Sequence, residues 1–204
     1  MSPSAAFYED VWVVVDDGVY EPADDTFMLC TNLGITPGDT MLDVGTGCGL
    51  VAIVAAKAGA QVVATDQSGL AVQNAKKNVA LHNLDSLVEI RQGKLFDPIR
   101  SDENFSLLTF NPPYLPGTKD DPAFDPAWSG GEKGYEITEK FIAQCSRYLH
   151  ADGRLLLIQS SLSEPERIQT QLKQLFHFVQ VKEEKAFFFE RLLLFSARKP
   201  IQRP

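Results

Sequence analysis

Cysteine is scarce in this sequence. Among 204 residues there are three, Cys30, Cys48 and Cys145. They are too few and too scattered for a disulfide frame or a zinc site, so reduced, buried thiols are expected. Long apolar runs are missing too, and none approaches the ~20 residues that span a bilayer. The opening stretch, Met1-Ser-Pro-Ser-Ala-Ala6, has no basic n-region and no signal-peptide core. A cytoplasmic location is therefore expected. Positive charge is short, with 19 Lys and Arg against 27 Asp and Glu and a net charge of −8. Proteins that live on nucleic acid take most of their affinity from a basic face. Stable nucleic-acid binding is disfavoured, while a local basic groove stays open. The three histidines, His82, His150 and His177, fall at expected helix ends or connections and in no metal-ligand spacing. Repeats and low-complexity stretches are absent. What is present suffices for a core: 44% of residues are apolar, and the length fits a single domain, 1–204, at about 100–200 residues per domain.

The chain is organised around Met41-Leu-Asp-Val-Gly-Thr-Gly-Cys-Gly-Leu50. Thr40 to Val44 reads as a buried strand. Gly45, Gly47 and Gly49 follow at every second position, and Leu50, Val51, Ile53 and Val54 open a helix. Glycine tolerates positive φ and lets backbone pass close under a ligand. The helix N-terminus behind it offers unpaired N–H groups. The dinucleotide fingerprint is G-x-G-x-x-G, whereas this loop is D-x-G-x-G-x-G. Asp43 would repel a pyrophosphate but suits a ligand carrying an ammonium group. Taken alone, the loop fits an ordinary glycine-rich turn equally well. The next strand, Gln61 to Asp66, ends in a carboxylate about 20 residues after the loop, where it can accept from both ribose hydroxyls. Gln67 follows it at the same strand end. This points to an adenosine ligand without choosing between a nicotinamide and a sulfonium cofactor.

The other segments continue a βαβ rhythm. Val11 to Val15 reads as a strand, Asp16-Asp-Gly18 as a turn, and Pro22 to Leu33 as a helix stopped by Gly34. Ser68 caps a helix whose apolar face is Leu70, Val72, Ala75, Val79 and Leu81. Leu87 to Arg91 and Phe105 to Phe110 are the third and fourth strands. Leu115 to Gly134 is a long loop rich in Pro, Gly and Asp, of the kind that is usually functional at a strand end. Ile137 to Leu149 is a helix and Gly153 to Ser160 the fifth strand. Ser163 caps a helix to about Phe176. Phe178 to Lys185 and Arg191 to Arg198 are two final strands, and 199–204 is a frayed tail. The expected fold class is α/β, a seven-stranded, mostly parallel sheet with one antiparallel strand and helices on both faces. The ligand would bind outside the strand C-termini at the topological switch point, where the first and fourth strands bring the glycine loop and Asn111 together.

The fourth strand ends in Asn111-Pro-Pro-Tyr114. An amide or exocyclic amine is a poor nucleophile because its lone pair is delocalised. Two acceptors gripping its N–H bonds would aim the nitrogen and stabilise the positive charge it gains. The Asn111 side-chain carbonyl and the Pro112 backbone carbonyl can be those acceptors, on a backbone that Pro112 and Pro113 stiffen. Tyr114 offers a flat face to a planar –C(=O)NH2 or a base.

These motifs, in this order, resemble the class I S-adenosylmethionine (SAM) methyltransferases. Tyr20-Glu-Pro-Ala-Asp-Asp-Thr-Phe27 is similar to the Y-x-P-x-x-D-T segment of the HemK-related release-factor glutamine methyltransferases, closest to their short archaeal and eukaryotic branch. Ala127-Trp-Ser-Gly-Gly-Glu-Lys-Gly-Tyr135 resembles another segment of that family. The resemblance implies a SAM cofactor and a segment, 1–34, that covers it. Thr26, with Asp25 beside it, would help hold the methionine end. The implied activity is N5-methylation of the glutamine in the Gly-Gly-Gln loop of a class 1 release factor, with Trp128 near the substrate. The family usually has an acidic residue where this chain has Lys94, which cannot accept from adenine. That leaves the Leu95 backbone or Asp97 as candidates. The resemblance also implies a small zinc-binding activator subunit, for which Val11 to Val15 or Ala186 to Phe189 could form an edge; both runs fit core as well. The same Asn-Pro-Pro-Tyr serves adenine and guanine amino-group methyltransferases, so a nucleic-acid acceptor is the alternative. A silent SAM-binding scaffold is a third reading.

Overall fold

The computed structural model describes residues 3–117 and 129–201. The chain begins with a hairpin, β1 Ser4–Tyr8 and β2 Val11–Val15, then α1 Asp24–Asn32. The βαβ part follows as β3 Thr40–Val44, α2 Leu50–Lys57, β4 Gln61–Asp66, α3 Gly69–Leu81, β5 Val88–Gln92 and β6 Phe105–Phe110. Two short strands, β7 Leu115–Pro116 and β8 Ser129–Gly131, pair with each other. The chain ends with α4 Glu136–Cys145, a single 3₁₀ turn to Tyr148, β9 Leu149–Ser160, α5 Pro165–Leu175, β10 Phe176–Ala186 and β11 Arg191–Pro200.

The main sheet has seven strands in the order β10-β11-β9-β6-β3-β4-β5. β11 runs antiparallel to both neighbours, and every other pairing is parallel. The chain winds outward from β3 through β4 to β5, then returns to place β6 on the other side of β3. That reversal opens a crevice at the carboxyl ends of β3 and β6.

Period-two alternation sends side chains to two cores. Met41, Leu156, Ile158, Leu192 and Leu194 face one, with Leu29 of α1, Ile53 of α2 and Val79 of α3. Leu42, Val44, Leu155, Leu157, Leu193 and Phe195 face the other, with Phe141 of α4 and Leu172 of α5. Val11, Val13 and Val15 belong to the first core, while Trp12 between them is exposed.

Several sequence expectations are corrected. Leu70 and Leu81 are exposed, and Asn74 and Asn78 take the buried positions on α3. The reason is hydrogen bonding: Asn78 accepts from Val14 N at 2.9 Å and donates to Val14 O and Cys48 O, both at 2.8 Å. Asn74 accepts from Asp16 N and donates to Val14 O. The two side chains thus continue the pairing of β2 where no strand is available. Ser163 does not cap α5; Glu164 holds the cap position at φ 46 with Pro165 beginning the helix, and the buried Ser163 hydroxyl donates to the Tyr114 carbonyl. Lys199 and Pro200 lie in β11, and Ile201 N donates to Leu175 O at 2.8 Å, so the chain is tied that far. Residues 202–204 lie outside the described residues.

Candidate active site

At the crevice is a cavity of about 390 Å³. Its floor is the turn after β3, with Gly45, Thr46 and Gly47, beside Asp66 and Gln67 at the end of β4. Lys94 and Leu95 form one wall, Asn111, Pro112, Pro113 and Tyr114 the opposite one, and Tyr20, Asp25 and Thr26 cover it. Gly47 has φ +57, and a Cβ there would meet nothing within 4 Å, because it faces open cavity. Gly49 is different. A Cβ on it would meet the Ala75 Cβ at 3.2 Å, so its backbone is close against α3 and it is off the cavity wall. Asp97 is also off the wall; it is exposed and its N–H donates to Lys94 O in a turn. Trp128 lies outside the described residues.

The two carboxylates on the floor differ. Asp66 accepts from Gly47 N at 3.0 Å through Oδ2 and from Ser68 N at 2.9 Å through Oδ1. These bonds lock the glycine loop to β4 and orient the carboxylate; burial nevertheless raises its pKa. Each carboxylate oxygen can accept a second bond, so capacity for a ligand remains. Asp43 is 2% exposed. Its Oδ1 accepts from the Thr109 hydroxyl at 2.7 Å across the β3–β6 pair, and its Oδ2 is buried with no partner. Burial raises the Asp43 carboxyl to about 6, with the Thr109 and Thr46 hydroxyls opposing and the charge of Asp66 adding to it. The Cys48 thiol in the same loop is pushed up to about 12 by burial, so it stays protonated and is no nucleophile at neutral pH.

Opposite the floor, Asn111 follows β6 directly. Its side-chain oxygen is buried and has no hydrogen-bond partner. Such a group normally costs free energy on burial. It persists here on the wall of the cavity that Asp43 also lines.

Over the cavity, Asp25 is a hub that the motif did not reveal. It is 2% exposed and accepts from Tyr20 Oη at 2.8 Å, Tyr114 Oη at 2.9 Å, Thr26 N at 2.6 Å and Thr26 Oγ1 at 3.1 Å. Helix α1 is thereby fastened to the Asn-Pro-Pro-Tyr segment. Burial raises the Tyr114 phenol far above its ordinary value, and the carboxylates of Asp25 and Glu190 add to it. Only the spacing of Tyr20, Asp25 and Thr26 in one motif hinted at this.

Comparison with known proteins agrees with the geometry. Residues 11–189 match the family described as the methyltransferase small domain. The chain belongs to that family. A Methanocaldococcus jannaschii protein, provisionally named a protein N5-glutamine methyltransferase, is 34% identical over 183 residues, covering 88% of this chain and 91% of the relative. A release factor glutamine methyltransferase of Rhodopirellula baltica is 31% identical over 74% of this chain, which spans only 57% of that longer protein. Among solved structures, the E. cuniculi Mtq2-Trm112 complex, named for methylation of the termination factor eRF1, superposes with a TM-score of 0.67 over 89% of this chain and 98% of that one. At 23% identity it shows the shared fold alone.

This methyltransferase is HemK-related, acts as a SAM-dependent N-methyltransferase, and has the class I sheet. Its cavity chemistry fits the cofactor. SAM carries an ammonium and a sulfonium, and the wall offers a buried carboxylate oxygen on Asp43 that has no hydrogen-bond partner. Leu95 stands at φ 49 on the wall beside Lys94. Among the described residues no cluster of His, Cys, Asp or Glu could hold a metal, and no helix is long and apolar enough to cross a membrane.

Proposed function

We propose that this enzyme methylates N5 of the glutamine in the Gly-Gly-Gln loop of a class 1 translation release factor, acting in the cytoplasm as one domain. The observation that carries it is the buried, unpartnered Asn111 side-chain oxygen at the end of β6. An acceptor held empty at that point suits an sp2 –NH2 group that must lose its planarity to react. Bound SAM supplies an electrophilic methyl group on its sulfonium. Asp43 and Thr26 would hold its methionine end, beside Gly45 and Gly47 of the cavity floor. Asp66 would take the ribose hydroxyls, and Gln67 and Leu95 would hold the base.

The protein's own task is to aim the nucleophile. Asn111 and the Pro112 carbonyl each accept one N–H of the substrate amide. Tyr114 is pinned through its hydroxyl to Asp25, so its ring is a fixed surface for the amide plane. Little acid–base catalysis is needed before transfer, because the acceptors stabilise the charge as it develops. Glutamine is favoured over a base by the relatives named as glutamine methyltransferases and by the net charge of −8.

The test is incubation with radiolabelled SAM and, in parallel, purified release factor, tRNA, rRNA and DNA. Label on the release-factor glutamine is expected. Label confined to nucleic acid would replace the proposed acceptor, and SAM binding without turnover on any of them would make the chain a scaffold. A small zinc-binding activator belongs to the same reading, and monodisperse, active protein purified alone would count against an obligate one.

A further inference from the structure

The turn between β10 and β11 carries three consecutive aromatics, Phe187, Phe188 and Phe189. Phe188 is 91% exposed and Phe189 83%, with their rings edge to face at 4.5 Å between centroids. Two large aromatics left this open gain nothing for the fold, and such patches mark interaction sites. Their place is set by topology. β11 is the one antiparallel strand of the main sheet, so its first residue, Arg191, lies at the carboxyl edge of the parallel strands, where the active-site cavity opens.

Local contacts hold the tip at that rim. Arg191 N donates to Ser161 Oγ at 2.9 Å and Ser161 N to Arg191 O at 2.8 Å. Lys185 pairs with Asp24 at 2.6 Å, next to the Asp25 hub. Phe187 N donates to Glu190 O at 2.7 Å and closes the turn. The Glu190 Oε1 atom is buried and has no partner, and its charge is felt at Tyr114. An apolar tip and an unpaired carboxylate oxygen therefore stand at the same carboxyl edge of the sheet as the catalytic motif.

We infer that Phe188, Phe189 and Glu190 form the docking element for the protein substrate, receiving the glycine-rich loop that carries the target glutamine. This rests on the function proposed above. Glycines leave peptide planes and N–H groups uncovered, so the loop can lie on an aromatic face while one of its N–H groups reaches Glu190. Charge argues against nucleic acid at the same place. The cations near the tip are already engaged: Lys185 with Asp24, Arg191 with Glu184 at 3.0 Å, and Lys182 with the Asn32 carbonyl at 3.0 Å. Among the described residues near the tip they leave no basic track for phosphates.

The experiment is steady-state methylation of purified release factor by the full chain, wild type against Phe188→Ser/Phe189→Ser, with SAM affinity and melting temperature measured on both. The variant should raise KM for release factor about tenfold or more, as loss of an aromatic anchor does. Its SAM affinity and melting temperature should not move, and Phe188→Leu/Phe189→Leu should restore most of the loss. Glu190→Gln should raise KM severalfold alone. If the wild type labels no release factor, the proposed function fails and the docking assignment with it. If the wild type labels it and the serine variant keeps its KM within twofold, the docking assignment alone fails. It also fails if the serine variant loses instead self-association, activator binding or SAM affinity.

Discussion

Two carboxylates bracket strand β3, and they have opposite surroundings. Asp39 precedes the strand at the amino edge of the sheet. It accepts from Ser106 Oγ at 2.6 Å, Thr36 N at 2.9 Å and the Arg154 guanidinium at 3.0 Å. Burial works to raise its pKa, but Arg154, Ser106 and Thr36 outweigh burial and hold the carboxyl well below the usual range. Asp43, near the other end, has one geometric hydrogen bond from Thr109, the Thr46 hydroxyl close by, an oxygen without a hydrogen bond and a raised pKa. One edge of the sheet is finished internally. The other is left with unpaired acceptors, a condition a fold tolerates where a ligand completes it. The comparison separates stabilising from functional acidity within one strand.

The largest effect should come from Asn111, the other empty acceptor. Asn111→Ala should cut kcat by roughly 10²–10³-fold, by analogy with removal of one preorganised donor or acceptor. SAM affinity should stay within about twofold, since the contact matters mainly as the nitrogen gains charge. Single-turnover kinetics with calorimetry check this, and retained activity would reduce Asn111 to a strand-end residue.

Asp43→Asn should come next. It keeps the shape and removes the charge, so the SAM dissociation constant should rise roughly 10–100-fold. Stability of the ligand-free protein at pH 8 should not fall, because a buried, half-satisfied charge is gone. A marked drop in melting temperature would place Asp43 with Asp39 as a structural group.

A pH series sharpens the same point. A folded pKa raised to about 6 means the protonated form predominates in the ligand-free fold only below that pH. A cationic ligand prefers the ionised form, so binding should tighten as pH rises and level off above about 6. Below that the slope should approach tenfold per pH unit. Calorimetry between pH 5 and 8 measures it, and a flat profile in the wild type would show that Asp43 does not meet the cofactor's charge.

The smallest effect on methylation should come from Asp39→Ala. It should lower stability by roughly 1–3 kcal/mol, the cost of leaving buried partners unpaired, while SAM affinity changes less than twofold. The sign follows from the depressed pKa: this contribution is present above the ordinary carboxylate range and is lost as pH falls through the folded value. Urea unfolding at pH 7 and pH 3 reads it, and the wild-type advantage should shrink at the lower pH.

The strand-to-loop-to-helix unit at Thr40–Leu50, Asp66 at its strand end and Asn111 after β6 were all legible. Each depends on local chemistry: apolar periodicity, glycine at positive φ, a carboxylate or amide closing a strand. The antiparallel last strand followed from the count of βα units. Other features were not legible, because a distant partner decides them. Strand β1 exists because Ser4 to Tyr8 pairs with β2. The polar Asn74 and Asn78 displace Leu70 and Leu81 from the core because they bond to Val14. Ser163 carries an ordinary cap signal, but its hydroxyl is drawn to Tyr114.

From sequence alone came an adenosine ligand and the expectation of an sp2 amino acceptor, since a glycine loop, an acidic strand end and Asn-Pro-Pro-Tyr act through their own backbone and side-chain chemistry; the choice of SAM came from the family resemblance. Tertiary structure alone decided which acceptors remain empty. Whether a carboxylate is satisfied depends on what the neighbouring strand presents to it: Thr109 for one oxygen of Asp43 and nothing for the other. It also decided that Asp25 binds the covering helix to Tyr114, a contact between residues 89 positions apart that no local pattern encodes.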